Sequence, residues 1–347
     1  MGLLFDLGRK PPTTKMIALQ VRDHGVDSLD QAQRRADEAR YQEVTCRSAL
    51  NPVKGMPFKW TLNPYRGCTH ACHYCFARRY QTQFELGPDD EFSSLIFVKT
   101  NFPEVLRKEL DKPSWTRETV ALGTATDPYQ PIEGHYKIRR RVLEALIAGR
   151  TAVGIVTKGP MVVRDADLLK ELSDVAKCTV CLSVPTVDED AWRALEPGTA
   201  HPLQRLRAVK TLRAAGIRVG VLMMPVVPGF TTQPSKIEAT IKAVADTDAS
   251  FLGANVMYLK GGTKDHFMGF LAHEYPHLVE SYGRLYAGAY AAKDYVTQVG
   301  GMIEMFKARH GMAGRNRDYE RDYGNVEPDE TPAPVEPAQA PLDFQTD

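Results

Sequence analysis

Three of the six cysteines of this 347-residue chain lie within eight consecutive residues. Cys68, Cys72 and Cys75 are spaced C-x3-C-x2-C inside residues 63–76, which read NPYRGCTHACHYCF. Thiolates bind soft metals, and iron–sulfur clusters are held through cysteine thiolates. Packing alone does not account for so dense a group of cysteines. The spacing therefore predicts a loop that binds an iron–sulfur cluster.

A cubane [4Fe-4S] cluster usually takes four cysteines, whereas this loop supplies three. One iron would then lack a protein ligand, and such an iron can bind a substrate or a cofactor. The alternative is a structural Cys3His zinc site completed by His70 or His73, although zinc sites more often use paired C-x2-C knuckles. Cys178 and Cys181 form a further C-x2-C pair, but they fall in a predicted strand and would point to opposite faces. We interpret that pair as core residues, the alternative being a second cluster completed by Cys46.

The elements that must position the cysteine loop are predicted from apolar runs in the chain. These runs are near-continuous, as in parallel strands covered on both faces, and helical patterns lie between them. The chain is therefore predicted to be an α/β protein with a parallel sheet, either doubly wound or a barrel. The predicted strands are residues 59–62, 94–99, 119–123, 152–157, 178–184, 218–226 and 251–258.

Polar residues lie at or just after the ends of several predicted strands. Neither G-x-G-x-x-G nor a P-loop pattern occurs, so the usual phosphate cradles of doubly wound proteins are missing. In barrels the chemistry lies on loops at the carboxyl ends of the strands. The cysteine loop follows the first strand, and the polar residues predict a single rim around one site. They are Thr124, Thr126, Asp127, Thr157, Lys158, Ser183, Asn255 and Tyr258.

The remainder of the chain divides by composition. We expect residues 1–57 to form a polar N-terminal arm with a helical segment near 28–41. The barrel core is expected at residues 58–290, with its cluster loop at 63–78, and a C-terminal helical extension is expected at 291–325. Residues 326–347 hold six acidic residues and no basic one, and we expect them to be a disordered, proline-rich tail. Since the net charge is +1, the body carries about +7, which permits a polyanionic partner such as nucleic acid.

The cellular location is predicted from what the chain lacks and from its cysteines. The chain contains no run of 18 apolar residues, so no membrane helix is predicted, and the N-terminus does not resemble a secretory signal. Clustered cysteines in a long chain favour a metal site over disulfides. We therefore expect a cytoplasmic protein without a membrane partner.

The cysteine motif with Tyr74 before its last cysteine, followed by the predicted barrel, resembles the radical S-adenosylmethionine (SAM) superfamily over roughly residues 58–290. Cys72-His-Tyr-Cys75, Thr157-Lys158, Ser183 and Glu196-Pro-Gly-Thr199 are more narrowly similar to its spore photoproduct lyase-like branch. The resemblance implies a partial (β/α)6 barrel of TIM-like form. It also implies an enzyme whose [4Fe-4S] cluster cleaves SAM to methionine and a 5′-deoxyadenosyl radical that abstracts hydrogen from a substrate. The electron would come from a donor such as a flavodoxin or ferredoxin.

The resemblance further implies roles for individual residues. Cys68, Cys72 and Cys75 would ligate three irons, while SAM would chelate the fourth through its amino and carboxylate groups. The other implied cofactor contacts are Tyr74 against the adenine; Gly123, Thr124, Thr126 and Asp127 at the methionine amino group; Lys158 and Ser183 at the carboxylate and ribose; and Val226 and Asn255 on the adenine side.

Two departures predict that the chain is not a true photoproduct lyase. Those lyases carry a cysteine near the end of the second strand that returns a hydrogen atom, and residues 123–127 contain none. Phe76 stands where they carry a tyrosine. Tyr129 is the nearest candidate for a radical relay, the alternative being an exposed loop aromatic. The substrate is expected to be nucleic acid by analogy, or else a peptide or small metabolite; a non-catalytic iron–sulfur or zinc module is the remaining hypothesis.

Overall fold

The main element of the fold is a seven-stranded sheet, seen in a computed structural model that describes residues 31–84 and 90–315. The strands of the chain are β1 Arg40–Val44, β2 Leu50–Pro52, β3 Trp60–Leu62, β4 Tyr65–Arg66, β5 Leu95–Lys99, β6 Val120–Leu122, β7 Val153–Thr157, β8 Cys178–Ser183, β9 Arg218–Val226 and β10 Leu252–Val256. The order in the large sheet is β10-β9-β8-β7-β6-β3-β2. Six of these strands are parallel, and β2 runs antiparallel to β3 at one edge.

The strand order decides between the two predicted architectures. From β3 through β6 to β10, each strand lies beside the next one of the large sheet in chain order. A doubly wound sheet reverses its order at a switch point, and this sheet does not. The six parallel strands therefore form a partial barrel, which confirms the α/β fold with parallel βα units.

Helices follow the strands and cover the outer face of the sheet. Their apolar faces and the sheet form the main hydrophobic cluster, which includes Val142, Leu169 and Val209 from three different helices. The helices are α1 Gln31–Glu38, α2 Asp90–Ser94, α3 Phe102–Leu110, α4 Glu133–Tyr136, α5 Ile138–Ala148, α6 Ala166–Val175, α7 Glu189–Leu195, α8 Pro202–Ala214, α9 Pro234–Ala245, α10 Gly262–Glu274, α11 Val279–Leu285 and α12 Lys293–Arg309, with 3-10 turns at Phe76–Phe84, Pro160–Asp165 and Pro276–Leu278.

Residues 94–99 form a strand as predicted, but the structure corrects its place. β5 pairs in parallel with β1 and antiparallel with β4, in a separate three-stranded sheet. It cannot enter the barrel there, because β3 pairs directly with β6 through Trp60 and Val120. The small sheet instead supports the cysteine loop, since β4, which ends two residues before Cys68, pairs with β5 through Tyr65 and Val98.

The ends of the chain bear on the predicted boundaries. Residues 40–52, within the predicted arm, contribute β1 to the small sheet and β2 to the large one. The C-terminal extension contains α12, which packs on α9 and β10. The predicted acidic tail lies outside the described residues. Among those described, no helix has the length and apolarity needed to cross a membrane.

Candidate active site at the carboxyl end of the barrel

The cysteine loop begins just after β4 and is fixed by its own turns. The N–H of Ala71 donates to the Cys68 carbonyl at 3.3 Å, and that of Cys75 donates to the Cys72 carbonyl at 3.2 Å. Gly67 enters the loop with φ +79°, where a Cβ would lie 2.6 Å from the Leu95 carbonyl oxygen. Only glycine fits so close a backbone approach at positive φ. The local sequence therefore sets the path on which the thiols are presented.

Arg78, just after the loop, and Gly198, from a later segment, bind the loop backbone. Arg78 is almost fully buried and donates to the carbonyl oxygens of Cys72 and Ala71, both at 3.0 Å. The N–H of Gly198 donates to the His70 carbonyl at 3.0 Å. A side chain at Gly198 would meet the loop backbone, because its Cβ would lie 2.1 Å from the carbonyl oxygen of Thr69. The segment after α7 is thus packed against the cysteine loop.

The three cysteine side chains are close enough to influence one another. Burial first, then Asp127 and the other two cysteines, raises the pKa of Cys68 well above its ordinary value. Burial likewise raises the pKa of Cys72 to about 12. Thiolates here therefore require a bound cation, because desolvation disfavours the unpaired charge. This is the environment of a metal-binding loop rather than of a reactive free thiol.

A cluster and a single ion make different demands on the positions of their ligands. Among the described residues, no three His, Cys, Asp or Glu side chains converge on a point where they could share one metal ion. A cubane takes one thiolate per iron, so its ligands stand around a larger body. Cys178 and Cys181 are buried in different hydrophobic clusters, as expected for opposite faces of β8.

The loop after β6 lies directly against the cysteine loop. Gly123 has φ +89°, and a Cβ there would lie 2.3 Å from the Val156 carbonyl oxygen. The amide oxygen of Asn63 accepts from the backbone N–H of Ala125 at 3.0 Å, and its amide nitrogen lies 3.3 Å from the Thr124 hydroxyl. Asn63 thereby joins the ends of β3 and β6.

Two buried polar side chains complete this junction. The Thr126 hydroxyl donates to the Gly67 carbonyl at 2.6 Å. Gln130 donates to Thr126 at 3.1 Å and accepts from the N–H of Thr69 at 3.1 Å. The β6 loop and the cysteine loop therefore form one hydrogen-bonded unit.

Asp127 is the buried carboxylate of this unit, and its oxygens are already occupied by the protein. It accepts from the backbone N–H of Tyr129 at 2.8 Å, the Thr157 hydroxyl at 2.6 Å and the N–H of Lys158 at 2.7 Å. His70 Nδ1 lies 3.3 Å from its second oxygen. Burial would raise the pKa of Asp127, but His70, the Lys158 N–H and the Thr157 hydroxyl hold it well below its ordinary value. Its predicted contact with the SAM amino group stays a prediction.

Lys158 and Ser183, predicted together from separate strands, are in contact. Lys158 Nζ donates to Ser183 Oγ at 2.8 Å, and it lies 5.6 Å above the ring of Tyr74. The same ammonium is 3.7 Å from Glu196 Oε1. Three predicted cofactor contacts are therefore brought together at the ends of β7 and β8, beside the last turn of the cysteine loop.

Glu196 is the centre of this network. Its carboxylate accepts from Arg205 at 2.6 Å and from the Tyr74 hydroxyl. Burial would raise the pKa of Glu196, but Arg205 and then Lys158 keep it lowered. Burial would lower the pKa of Lys158, but Glu196 and Cys72 outweigh burial and raise this pKa above its ordinary value. Both groups therefore remain charged in a nearly dry setting.

The three remaining predicted site residues lie in different settings, and they differ in how far they are buried. Val226 is buried at the end of β9, and Asn255 is exposed where the pairing of β10 shifts between Ala254 and Val256. Tyr129 is 1% exposed and packs in the main hydrophobic cluster with its ring beside Arg139, so the exposed alternative is wrong. A radical relay through Tyr129 stays a prediction.

The sequence patterns assign no supporting role to several residues that hold the site together. His70 enters them only as a possible zinc ligand, and Glu196 only as part of the motif at residues 196–199. Asn63 and Arg78 stand at the two ends of the predicted cluster loop, which is the one signal the sequence carries for them. The other supporting residues are Gln130 and Arg205.

Comparison with known proteins places the chain in a family. The Radical SAM superfamily model matches residues 62–243. An uncharacterised protein of Mycobacterium tuberculosis is 37% identical over 310 residues, covering 88% of this chain and 89% of that protein. A radical SAM Nα-GlyT isomerase of Pseudomonas phage M6 is 28% identical over 176 residues, covering 49% of this chain and 33% of that protein.

The solved structures agree in fold. Spore photoproduct lyase in complex with a dinucleoside spore photoproduct superposes with a TM-score of 0.60 at 16% identity, over 81% of this chain and 83% of that one. The cysteine loop, the partial barrel and the family match together exclude the hypothesis of a non-catalytic metal module. The chain belongs to the radical SAM superfamily and is an enzyme of that type, with a [4Fe-4S] cluster and SAM as cofactors.

Proposed function

We propose that this protein is a radical SAM enzyme that acts on nucleic acid, with SAM held between the cysteine loop and the carboxyl ends of β6–β10. The cluster and SAM, when bound, supply a 5′-deoxyadenosyl radical that removes a hydrogen atom from the substrate. The observation that carries the proposal is the joining of the cysteine loop to the polar ends of β7 and β8 through Tyr74, Lys158 and Glu196. A simple electron carrier has no need of such a charged rim.

The substrate class is supported by relatives and by charge. The spore photoproduct lyase structure holds a dinucleoside spore photoproduct. The chain outside the acidic tail is mildly basic. Phosphates are attracted by such a surface, and the resulting affinity depends on salt.

The chain's own residues have distinct parts in cofactor binding. Cys68, Cys72 and Cys75 would hold the cluster. Lys158 offers a cation for the SAM carboxylate, and the adjoining Ser183 hydroxyl can accept or donate a hydrogen bond. The further contacts we propose are Tyr74, Gly123, Thr124, Thr126, Val226 and Asn255; Asp127 would act mainly by fixing the loop between β6 and β7, because its oxygens already accept from protein donors.

The site also has the means to exclude water. Tyr74 and Cys72 belong to a second hydrophobic cluster with Phe267 and Tyr282, behind the cysteine loop. Glu196 and Arg205 neutralise each other there with side chains 3% and 0% exposed. Such a setting strengthens electrostatic contacts and protects a reactive species from solvent.

Anaerobic reconstitution tests the enzyme assignment. Reduced, cluster-loaded protein with SAM should form 5′-deoxyadenosine. Cys72→Ala should lose iron and product, while Cys181→Ala, which removes an equally buried thiol, should keep both. Absence of deoxyadenosine from cluster-loaded wild-type protein would refute the assignment.

The substrate class has its own test. Fluorescence anisotropy with labelled single-stranded DNA should show binding that weakens steeply between about 50 and 200 mM salt. Absent or salt-independent binding would instead favour a peptide or a small metabolite, the alternative substrates, and would leave the enzyme assignment untouched.

A further inference from the structure

Two aromatic side chains are exposed, one directly after the cysteine loop and one bridged to the segment that follows β10. In the described part of the chain the exposed large apolar side chains are Met56, Phe76, Tyr290, Val296 and Met305. Phe76 follows Cys75 directly and is 44% exposed, and Tyr290 is 53% exposed. Exposure of an aromatic ring to water is unfavourable in free energy, and a planar partner that packs on the ring would remove that exposure.

Tyr290 is paired with Tyr258, just beyond the carboxyl end of β10. Their ring centroids are 4.8 Å apart with the planes tilted by 54°, and an isolated antiparallel bridge joins the two residues. The N–H of Leu259 donates to the Ala289 carbonyl at 2.9 Å, which ties the two segments together. The Tyr286 hydroxyl donates to the Met257 carbonyl at 2.9 Å in the same region. The pair is therefore presented on a braced segment.

The segment that carries Tyr258 runs back to the cluster loop. Thr263, in the first turn of α10, donates through its hydroxyl to the Cys75 carbonyl at 3.2 Å. Tyr258 lies five positions before Thr263 in the chain, so their Cα atoms lie at most about 18 Å apart. Tyr258 also follows the carboxyl end of β10 by two residues, at the edge of the sheet where the ends of β7 and β8 carry Lys158 and Ser183. The aromatic pair is therefore on the carboxyl-end side of the barrel, which is the side that carries the site.

The charges next to the pair favour an anionic partner. Residues 258–264 and 290–293 contain Lys260, Lys264 and Lys293 and no acidic residue. Asp265 and Asp294 follow immediately in the two helices, so the wider surface is balanced. Lys264 already donates to the Tyr286 carbonyl at 2.8 Å. Local charge can therefore attract a phosphate, but the aromatic rings must supply most of the contact.

We propose that Tyr290, backed by Tyr258, stacks on an unpaired nucleobase of the substrate and so holds the neighbouring nucleotide at the cysteine loop. This inference rests on the proposed function. Proteins that take up single strands combine aromatic platforms with nearby cations, because every base offers a π face. A tyrosine is suited to this position, since it gives a large contact area at little cost in side-chain entropy.

Binding of defined oligonucleotides to the cluster-loaded full chain tests the inference. The probes are a fluorescein-labelled oligothymidylate and the same strand with abasic central positions. Tyr290→Ala should weaken binding of the first probe about tenfold and leave the abasic probe nearly unaffected. Tyr290→Phe keeps the ring and should bind like wild type. Met305→Ala removes a side chain of similar exposure, 50%, on α12 and is the matched control.

The outcomes separate this inference from the function on which it rests. If wild type binds and Tyr290→Ala binds equally well, or if wild type does not distinguish the abasic strand, the stacking platform is refuted while the nucleic-acid substrate stands. If wild type binds no oligonucleotide at low salt, the nucleic-acid substrate and the platform both fail. Iron content and thermal unfolding of each variant establish that lost binding is not lost folding.

Discussion

Glu196 is expected to be the most costly single carboxylate to remove from the site. Its side chain is 3% exposed, and that of its partner Arg205 is fully buried. Arg205 also donates to the Ser183 carbonyl at 2.9 Å and the Ala200 carbonyl at 2.8 Å, so it cannot leave when its counter-charge is removed. In Glu196→Ala the guanidinium would stay buried without an anion. Breaking one partner of such a pair costs about 3–5 kcal/mol.

Two further variants isolate the charge from the packing. Glu196→Gln keeps the shape and an acceptor for one donor, so we expect a smaller loss of about 1–3 kcal/mol. Glu189→Ala removes a carboxylate from an exposed i,i+4 pair with Arg193 on the preceding helix. That pair should contribute no more than about 0.5 kcal/mol. The three variants together give an expected order of unfolding free energies.

Anaerobic urea denaturation followed by circular dichroism measures that order. Trp192 donates to Thr199 Oγ at 2.8 Å, so its fluorescence gives a local signal next to Glu196. SAM affinity should also fall in Glu196→Ala, because Lys158 and Tyr74 lose their common partner. If Glu196→Ala is as stable as Glu189→Ala, the buried network does not hold the site and the reasoning is wrong.

Three other perturbations have definite expected outcomes. Gly198→Ala should destabilise the fold and lower the iron content, because its Cβ would overlap the backbone of the cysteine loop. Gly269→Ala, in the middle of α10 with open space around it, should instead stabilise the fold by about 0.5–1 kcal/mol, and thermal unfolding of the two variants tests both expectations. Burial is the main cause that lowers the pKa of His73 from 6.5 to about 3 in the folded protein, so between these values the unfolded chain binds more protons and the free energy of unfolding should fall as the pH drops from about 6.5 to 3. His73→Phe should flatten this dependence in denaturation experiments at different pH, and an unchanged dependence would contradict the reasoning. Arg78→Met should lose at least half of the bound iron, because it removes two hydrogen bonds to the backbone of the cysteine loop, while Arg79→Met at the neighbouring position should keep its iron. Equal iron content in the two variants would show that those hydrogen bonds do not support the loop.

The cysteine spacing predicts the ligand set, and the apolar runs predict the class of fold, which the strand order confirms. The spacing of Cys68, Cys72 and Cys75 is a local property, and three thiols so close along the chain must be presented together. The parallel sheet was equally predictable, because strands covered on both faces are apolar throughout. The meeting of Lys158 and Ser183 also followed, since the carboxyl ends of neighbouring parallel strands share one edge.

Which distant partners these segments take could not be predicted from local patterns. An apolar run predicts a strand but not its neighbour, which is why β5 was placed with the barrel strands and is found in the separate sheet. The burial of Arg78 and Arg205 is likewise not predictable from the sequence, because a guanidinium is expected in water unless protein acceptors replace its solvent. Their acceptors, the loop carbonyls and Glu196, are close in the chain, but the bond from the Tyr74 hydroxyl to Glu196 joins residues 122 positions apart and forms only once the barrel has folded. Spacing along the chain therefore gave the chemistry of the site, and packing across the chain gave the supports that hold it.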